Sequence, residues 1–280
     1  MGDKISNLFP DLVDVKYVYN VMDLGYKSED ILWMTEQGIL TITYQSTSYL
    51  TDDVPELSFV DLPFLFRDND HARASMDGAL GQYLTNKIED GKNYKILGYL
   101  ENGFRQISNS CRIIRRPHDI KNMKIRVLPS NVHSRFFELL GATPMRMDLT
   151  QAITDIQTGE LDAQENPFNN TTTYGVHQYH KYHTLSNHFY ISRAIMCNRT
   201  QFYQWPDQLK QTIIASAVEA IQWQRSQIET DVKQAEQLIL ESGGQIHSLT
   251  PEETKLFKEK IVPMYRDARE KFGDTPFNYV

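Results

Sequence analysis

The chain has 280 residues, of which 40% are hydrophobic and 23% are charged, and its formal net charge is -7. This ordinary globular composition excludes disorder and fibrous repeats, and the length allows one large domain or two lobes of ordinary size. The acidic balance argues against a nucleic acid partner, which needs clustered Lys and Arg, but it does not exclude a small anion that binds one or two local arginines.

The first two thirds of the chain alternate short β-rich runs with helical patterns, which is typical of parallel sheets joined by crossover helices. This alternation predicts an α/β fold. The pattern predicts strands at Val15–Val21, Ile39–Tyr44 and Tyr94–Leu100, and helices at about Ser28–Gln37 and Asn69–Ile88.

A weak internal repeat favours two lobes. In two places a helix is expected to end at a left-handed glycine and a strand to start at once, at Gly38-Ile-Leu-Thr-Ile and at Gly159-Glu-Leu-Asp-Ala. Ligands of doubly wound sheets lie beyond the carboxyl ends of the strands. The segments that follow, Gln45-Ser-Thr-Ser and Gln164-Glu-Asn-Pro, are therefore expected to face a shared cleft.

The last third is predicted to be helical. Apolar residues recur at three- and four-residue steps from Asp207 to Ser242, which predicts a helix of roughly 50 Å that straps both lobes together. A coiled-coil dimer helix is the alternative, but the steps do not hold a strict heptad. Thr250 and Glu253 have the spacing of a capping box for a final helix that ends near Gly273, and Pro263 is expected to kink it.

Three polar residues are candidates for binding an acid. Arg126 lies in an alternating strand, opposite Ile125 and Val127, and an arginine there can offer a planar fork of donors to a carboxylate. Asn166 precedes a proline and can hydrogen-bond both an acid and a hydroxyl, and Arg105 follows a turn at Gly103. The alternatives are a surface or interlobe ion pair for Arg126, a surface position for Arg105 and a simple turn for Asn166.

Other chemistry has little support. The four histidines His177, His180, His183 and His188 do not converge on one helix face and lack a familiar metal-ligand spacing, so no metal site is predicted. No nucleophile elbow or phosphate loop is present, and neither catalysis nor a cofactor is expected. Some aromatic residues can line a pocket, among them Tyr44, Tyr49, Phe168 and Tyr174. Cys111 and Cys197 are expected to be thiols, although a disulfide stays open.

Six segments, in order and with matching spacing, make the chain similar to the solute-binding proteins of tripartite ATP-independent periplasmic (TRAP) transporters, of the dicarboxylate type. The resemblance covers nearly the whole chain. The segments are Val54-Pro-Glu-Leu-Ser-Phe-Val-Asp-Leu-Pro-Phe-Leu-Phe66, Asp119-Ile-Lys-Asn-Met-Lys-Ile-Arg-Val127, Leu140-Gly-Ala-Thr-Pro144, Leu161-Asp-Ala-Gln-Glu-Asn-Pro167, Thr184-Leu-Ser-Asn-His188 and Trp205-Pro-Asp-Gln-Leu209.

The resemblance implies a periplasmic-binding-protein-like fold, with two α/β lobes around a cleft, linked by the long helix. Residues 1–103 and 192–231 are expected to form lobe I, and residues 104–191 and 232–280 to form lobe II. The resemblance places Arg126 on the family's carboxylate-binding arginine. It places Asn166 and Arg105 on further ligand contacts, and Ser46 and Leu149 on positions that tune specificity.

The implied function is that of a non-catalytic periplasmic receptor, which closes on a small organic acid and delivers it to TRAP membrane subunits. No membrane insertion is expected, because no apolar stretch approaches the roughly 20 residues that span a bilayer. The alternatives are a sensor that hands its closed form to a signalling partner, and an enzyme on a small acid in which Glu165 would be the acid or base.

Two departures from the family pattern accompany the resemblance. Asn122 stands where the family usually has glycine, and asparagine tolerates a left-handed turn. The sequence also starts where the family would be finishing its first helix, so we expect the secretion signal and the first strand-helix unit to be missing here. A lobe without that unit would expose a sheet edge or an apolar helix surface.

Overall fold

The computed structural model describes all residues from Met1 to Val280. It contains nine strands: β1 Ile42–Ser46, β2 Tyr94–Phe104, β3 Gln106–Asn109, β4 Lys124–Val127, β5 Thr143–Arg146, β6 Ala163–Asn166, β7 Tyr182–Leu185, β8 Tyr190–Asn198 and β9 Gln245–Ser248. It contains eleven α-helices: α1 Gly2–Leu8, α2 Asp30–Glu36, α3 Asn69–Asp77, α4 Ala79–Gly91, α5 Asn131–Leu139, α6 Leu149–Thr158, α7 Phe168–Thr173, α8 Arg199–Gln204, α9 Asp207–Glu241, α10 Pro251–Lys260 and α11 Val262–Phe272.

The strands form two separate sheets, as expected for a two-lobed α/β protein. The first sheet has the order β1-β8-β2, and both of its pairings are antiparallel. The parallel arrangement predicted from the sequence is therefore wrong for this sheet. The second sheet has the order β5-β4-β6-β3-β7-β9, in which β3 runs antiparallel to both of its neighbours and the other pairs are parallel.

The helix α9 links the two sheets, as the sequence predicted. Ile213 and Ile221, in its first half, pack with Ile195 of the first sheet. Ala235 and Ile239, in its second half, pack on the other side of the molecule. A helix of 35 residues is about 52 Å long, which is enough to span both lobes.

The C-terminal region is built as two helices instead of one kinked helix. The capping box between Thr250 and Glu253 is present at the start of α10. Pro263 lies in the first turn of α11, so the chain breaks at Ile261, because proline in a helix interior would remove a hydrogen bond and clash.

The division of the chain into lobes stays a prediction, and one part of the packing differs from it. Phe257 and Met264 belong to the core of the second sheet. Ala268 and Phe277, at the end of the chain, pack instead with the core of the first sheet. The predicted range 232–280 therefore contributes to both cores.

Three local predictions differ from the structure. Val15–Val21 forms no strand, and its Tyr19 is 89% exposed, because no neighbouring strand pairs with this segment. The first strand begins at Ile42, three residues later than predicted. The helix predicted at Asn69–Ile88 is broken at Gly78, where a Cβ atom would lie only 2.8 Å from the carbonyl oxygen of Ala74.

The predicted repeat is present in the backbone. Gly38 has φ +72° and Gly159 has φ +78°, both left-handed, and each is followed by a strand after three intervening residues. The strands thus start later than expected, but by the same number of residues in both lobes. Asn122 also adopts a left-handed conformation, with φ +64°.

Both cysteines are free thiols, with Cys197 buried and Cys111 exposed, which confirms the expectation from the sequence. None of the helices has the length and apolar character that crossing a membrane requires.

Candidate ligand-binding site

Arg126 is a buried guanidinium without an acidic partner. It lies on β4, between the parallel strands β5 and β6, and only 1% of it is exposed. Ile125 and Val127 fill the core on the opposite face, as the alternation predicted. Its Nε and Nη2 donate to the carbonyl oxygen of Met147 at 3.1 and 3.0 Å, and Nη2 donates to Tyr49 Oη at 3.5 Å. The positive charge is therefore not neutralised within the chain.

Arg105 lies between β2 and β3, after a left-handed glycine at Gly103. It is 2% exposed, and its side chain pairs with Glu165: Nη2 lies 3.0 Å from Oε1, and Nε donates to Oε2. Its Nη1 donates to Asn166 Oδ1 at 3.2 Å. Unlike Arg126, Arg105 has a carboxylate that neutralises it.

Glu165 is fully buried on β6 and has three cationic or polarisable neighbours. Besides Arg105, these are His133, whose Nδ1 lies 3.4 Å from Oε1, and His188, whose Nε2 lies 3.7 Å from Oε2. Burial by itself would raise the pKa of Glu165, but the charge of Arg105 and the contacts with both histidines hold that pKa well below its ordinary value. Glu165 is thus a fixed anion.

Asn166 is held with its amide oxygen turned towards Arg105. That oxygen accepts from Arg105 Nη1 and, at 3.1 Å, from Asn170 Nδ2. Because two donors fix the oxygen, the NH2 group of Asn166 must face the other way. It remains a donor for a carboxylate or a hydroxyl.

Ser46 and Leu149 come from opposite lobes. Ser46 ends β1, and its Oγ accepts from the backbone N–H of Ser48 at 3.4 Å. Leu149 begins α6, directly after the N-cap residue Asp148. Both are buried. Of the five predicted residues, only Arg105 and Asn166 contact each other directly through hydrogen bonds.

Tyr49, in the turn after β1 of the first sheet, reaches Arg126 and Asp148 on the side of the second sheet. Its hydroxyl accepts from Arg126 and donates to Asp148 Oδ2 at 3.5 Å. Burial raises the pKa of Tyr49, while the charges of Arg126 and Arg105 act in the opposite direction. The charges of both arginines therefore affect the hydroxyl of Tyr49, which is one of the aromatic residues that the sequence suggested for a pocket wall.

Further polar contacts join the lobes around these residues. The backbone N–H of Glu29 donates to Asp148 at 3.2 Å, and Arg146 forms an ion pair with Asp52 at 3.1 Å. Ser130 Oγ donates to the buried carboxylate of Asp61 at 2.9 Å. The arginine site is thus closed off from solvent by contacts between the two lobes.

A cavity of about 680 Å³ opens beside this site, but Arg126 does not line it. Its wall includes Lys27, Glu29, Met147 and Asp148. Met147 and Asp148 also contact Arg126 or Tyr49, so the cavity borders the site on the solvent side. The candidate site is centred on Arg126, because an unpaired buried charge selects an anion and the open cavity does not.

The histidines of the sequence have structural roles. His180 Nδ1 bonds with Ser108 Oγ at 2.9 Å, and His183 Nε2 donates to the carbonyl of His180 at 2.8 Å. Burial lowers the pKa of His180 to about 3 and that of His183 to about 4, which keeps both neutral. No group of three or more His, Cys, Asp or Glu residues has a geometry that could hold a metal ion.

Two residues near the site were not found from the sequence. His133 lies between Asp61 and Glu165, and nothing in its helical surroundings marks it. Arg193 on β8 did have a signal: it is the single charged residue in the run Tyr190-Ile-Ser-Arg-Ala-Ile-Met. The signal differs from that of Arg126, because Arg193 is flanked by Ser192 and Ala194 and not by two large apolar residues.

The profile of the family described as bacterial extracellular solute-binding protein, family 7, matches residues 18–271. The chain is 32% identical over 213 residues to the 2,3-diketo-L-gulonate-binding periplasmic protein of Escherichia coli, an alignment that covers 76% of this chain. It spans 64% of the length of that relative.

Two solved structures share the fold. The sugar acid binding protein of Advenella mimigardefordensis, in complex with galactonate, superposes with a TM-score of 0.92 at 28% identity, over 98% of this chain and 88% of that one. A TRAP periplasmic solute binding protein of Sulfurospirillum deleyianum, with bound succinate, gives a TM-score of 0.91 at 27% identity, over 99% and 90%. The resemblance stated from the sequence is thus confirmed, and the chain belongs to family 7 of the bacterial extracellular solute-binding proteins.

Proposed function

We propose that this protein is the periplasmic receptor of a TRAP transporter, which binds a small organic acid between its two lobes and delivers it to the membrane subunits. The observation that carries the proposal is Arg126, a guanidinium that is 1% exposed and forms no ion pair with a carboxylate of the chain.

A buried charge without a counterion costs several kcal/mol. A bound carboxylate offsets this cost, and the planar guanidinium suits it because two parallel N–H groups can pair with two oxygens. Nε and Nη2 of Arg126 already bond with Met147, while Nη1 makes no hydrogen bond within the chain. Nη1, together with the Nη2 hydrogen that makes only a 3.5 Å contact with Tyr49, is therefore the pair of donors that receives the ligand carboxylate.

Asn166 and Arg105 complete the polar part of the proposed site. The NH2 group of Asn166 donates to a ligand oxygen, since its amide oxygen is taken by Arg105 and Asn170. Arg105 uses one Nη1 hydrogen on Asn166 and has the second for the ligand. Ser46 and Leu149 contact the rest of the acid from opposite lobes and adjust the shape of the site.

Binding is proposed to proceed by closure of the lobes. Tyr49 reaches Arg126 and Asp148, and the backbone N–H of Glu29 also reaches Asp148, so the closed form is stabilised by contacts between the lobes at the site itself. Excluding water strengthens the charge pairing between ligand and guanidinium. The ligand shifts the population to the closed form because it makes contacts with both lobes only there.

The ligand class is drawn from the relatives. The relative from Escherichia coli is named for 2,3-diketo-L-gulonate, and the two structures hold galactonate and succinate. These ligands share a carboxylate on a short, oxygen-rich carbon chain. We propose that this chain binds an acid of the same kind.

The site favours a receptor over an enzyme. Glu165 is the carboxylate that the enzyme alternative would use as an acid or base, and Arg105 and two histidines hold its pKa well below the ordinary value. A general acid or base works best when its pKa lies near the working pH. Glu165 instead orients Arg105, and the acid is proposed to leave the site unchanged.

A thermal-shift screen over short organic acids tests the proposal. A ligand at a hundred times its Kd stabilises the folded state by about 2.7 kcal/mol, which raises the Tm by several degrees. The protein should respond to at least one oxygen-rich carboxylic acid and not to the corresponding amide or alcohol. The bound acid should be recovered unchanged after long incubation. Absence of any response across the acids, or conversion of the acid, would contradict the proposal.

A further inference from the structure

Arg193 is a second arginine at this site without an acidic partner. It lies on β8, opposite Ser46 of β1 and Leu100 of β2 in the antiparallel ladder. Its side chain forms no ion pair and no hydrogen bond within the chain, and its Nε is buried without a partner. Buried N–H groups are almost always hydrogen-bonded, so this donor calls for an acceptor that the chain does not supply.

The surroundings of Arg193 place it among the residues of the proposed site. Residues that face each other across an antiparallel ladder lie on the same side of the sheet, which puts Arg193 beside Ser46. Its guanidinium lies over the ring of Tyr44, 5.7 Å from the ring centre. Burial lowers the pKa of Arg193. Tyr44 and Tyr174 raise this pKa, and the positive charge of Arg105 lowers it further.

One short segment connects Arg193 with Arg126. Ser46, which faces Arg193 across the ladder, lies three residues before Tyr49, and the Tyr49 hydroxyl is 3.5 Å from Arg126 Nη2. Between them, Thr47 Oγ1 lies 3.0 Å from the hydroxyl of Ser192, the residue before Arg193. The segment from Ser46 to Tyr49 therefore contacts the strands of both arginines.

No carboxylate of this region forms an ion pair with Arg126 or Arg193. Arg105 is neutralised by Glu165. Glu101, the acid next to Leu100 on β2, is paired with Arg73 at 2.7 Å. Asp148, on the side of Arg126, is held by the backbone N–H groups of Glu29 and Thr150. Arg126 and Arg193 are left as two guanidinium groups without a carboxylate.

We propose that Arg193 binds the end of the ligand opposite to the carboxylate held by Arg126, and that it selects acids whose far end carries a second carboxylate. This inference rests on the proposed function and assigns one more specificity-determining residue to the same site. Two uncompensated positive charges in a closed site are matched by two negative charges on the ligand, whereas a monoanion leaves one guanidinium unpaired.

A purely structural role for Arg193 makes a different prediction. Its aliphatic stem can pack on the sheet while the guanidinium stacks on Tyr44, a contact that stabilises the fold regardless of the ligand. In that case, replacing Arg193 lowers the free energy of unfolding and weakens all acids equally. If Arg193 instead binds the far end of the ligand, replacing it changes the ratio of the affinities for two acids that differ at that end.

Matched ligand pairs separate these roles. Succinate is compared with 4-hydroxybutyrate, and galactarate with galactonate, because each pair differs only in a carboxylate that replaces a hydroxymethyl group. Affinities are measured by calorimetry at a pH where all carboxylates are ionised, for the full chain and for R193Q, R193K and the control R135Q. Arg135 lies on α5 with its side chain 50% exposed, so R135Q removes a positive charge away from the site.

The full chain should prefer the dianion in at least one pair. R193Q should weaken that dianion by about thirtyfold or more and the matched monoanion by less than about threefold, as expected when one side of a buried charge pair is removed. R193K should fall between, because lysine keeps the charge without the fork. R135Q should leave both affinities unchanged. If R193Q does not fold, the ratio of dianion to monoanion affinity is compared between the full chain and R193K alone.

Equal weakening of both members of a pair, no effect of R193Q or R193K, or a preference of the full chain for the monoanion would overturn the inference. The proposed function would stand in each of these cases, provided that loss of Arg126 abolishes binding. If neither acid class binds the full chain, the proposed function fails, and the role of Arg193 fails with it.

Discussion

Asp61 Oδ2 lies 3.5 Å from Nε2 of His133, and both side chains are fully buried. Asp61 belongs to the segment that packs with the first sheet, and His133 lies on α5, which packs with the second. The other ring nitrogen of His133 lies 3.4 Å from Glu165, which holds Arg105. A line of charges thus runs from the first lobe to the proposed ligand site.

The stabilising contribution of the protonated His133 should be lost as the pH rises. Burial by itself would lower the pKa of His133, but the charges of Asp61 and Glu165 raise it above the ordinary value. Its stabilising contribution is therefore complete below about pH 6.5, the ordinary pKa of an unfolded histidine, and is lost as the pH rises through the higher pKa of the folded state.

The test is the free energy of unfolding in urea between pH 6 and 8.5. The full chain should lose stability over this range, and His133→Gln should lose less. His118→Gln, which replaces an exposed histidine, is the control and should keep the slope of the full chain. Parallel slopes for the full chain and His133→Gln would show that the imidazole does not gain a proton on folding.

His183 should act in the opposite pH range. Burial lowers its pKa to about 4. Between about pH 6.5 and pH 4 this histidine is therefore protonated in the unfolded chain and neutral in the folded chain. The stability that this histidine contributes is present above pH 6.5 and is lost as the pH falls through the folded value. A shift of this size corresponds to about 3 kcal/mol.

The variant His183→Gln should therefore lose less stability than the full chain between pH 6.5 and pH 4, again with His118→Gln as the control. The variant is expected to be less stable at pH 7, because it loses the hydrogen bond to the carbonyl of His180. If His183→Gln loses as much free energy of unfolding between pH 6.5 and pH 4 as the full chain does, the imidazole of His183 is not buried and neutral in the folded state.

The helix α9 and the strand face of Arg126 show what a single sequence can predict. The helix was predicted to within one residue of Glu241, because 35 residues of three- and four-residue apolar steps leave little ambiguity. The alternation around Arg126 fixed its face, because side chains of a strand alternate strictly. Local periodicity carried both predictions.

Pairing between distant segments was less accessible. The antiparallel order of β1, β8 and β2 joins residues about 150 positions apart, such as Ser46 and Arg193, and no local pattern encodes their direction. The ion pair of Arg105 with Glu165 likewise spans 60 positions. Val15–Val21 has the composition of a strand but lacks a partner, and a strand without a partner leaves its backbone unpaired.

The hydroxyl of Tyr49 should contribute to ligand affinity through closure of the lobes. It links Arg126 to Asp148 by two contacts of 3.5 Å. Tyr49→Phe keeps the ring and removes the hydroxyl, which typically costs about 0.5 to 1.5 kcal/mol for one hydrogen bond, or about two- to tenfold in Kd.

Calorimetry with the acid found in the thermal-shift screen measures this effect. Tyr94→Phe is the matched control, since the Tyr94 hydroxyl donates to the carbonyl of Leu32 at 2.8 Å, away from the arginines. The control should lower the free energy of unfolding and leave the Kd unchanged. Equal effects of the two variants on the Kd would remove Tyr49 from the binding mechanism.

Replacing Arg126 should have the largest effect on binding and little effect on the fold. Arg126→Ala removes the proposed partner of the ligand carboxylate and leaves that carboxylate buried and unpaired, which typically costs about 2 to 5 kcal/mol. Arg126→Lys keeps the charge, but a lysine cannot reproduce the paired donors, so its affinity should also fall strongly.

The free energy of unfolding without ligand discriminates a binding residue from a structural one. Because Arg126 has no acidic partner in the chain, Arg126→Ala also removes an uncompensated buried charge, and this variant without ligand should melt at or above the temperature of the full chain. Arg105→Ala is the contrasting variant: it leaves Glu165 buried without its main counterion and should melt lower. A lower melting temperature of Arg126→Ala together with unchanged acid affinity would make Arg126 a structural residue and leave the receptor without its anchor.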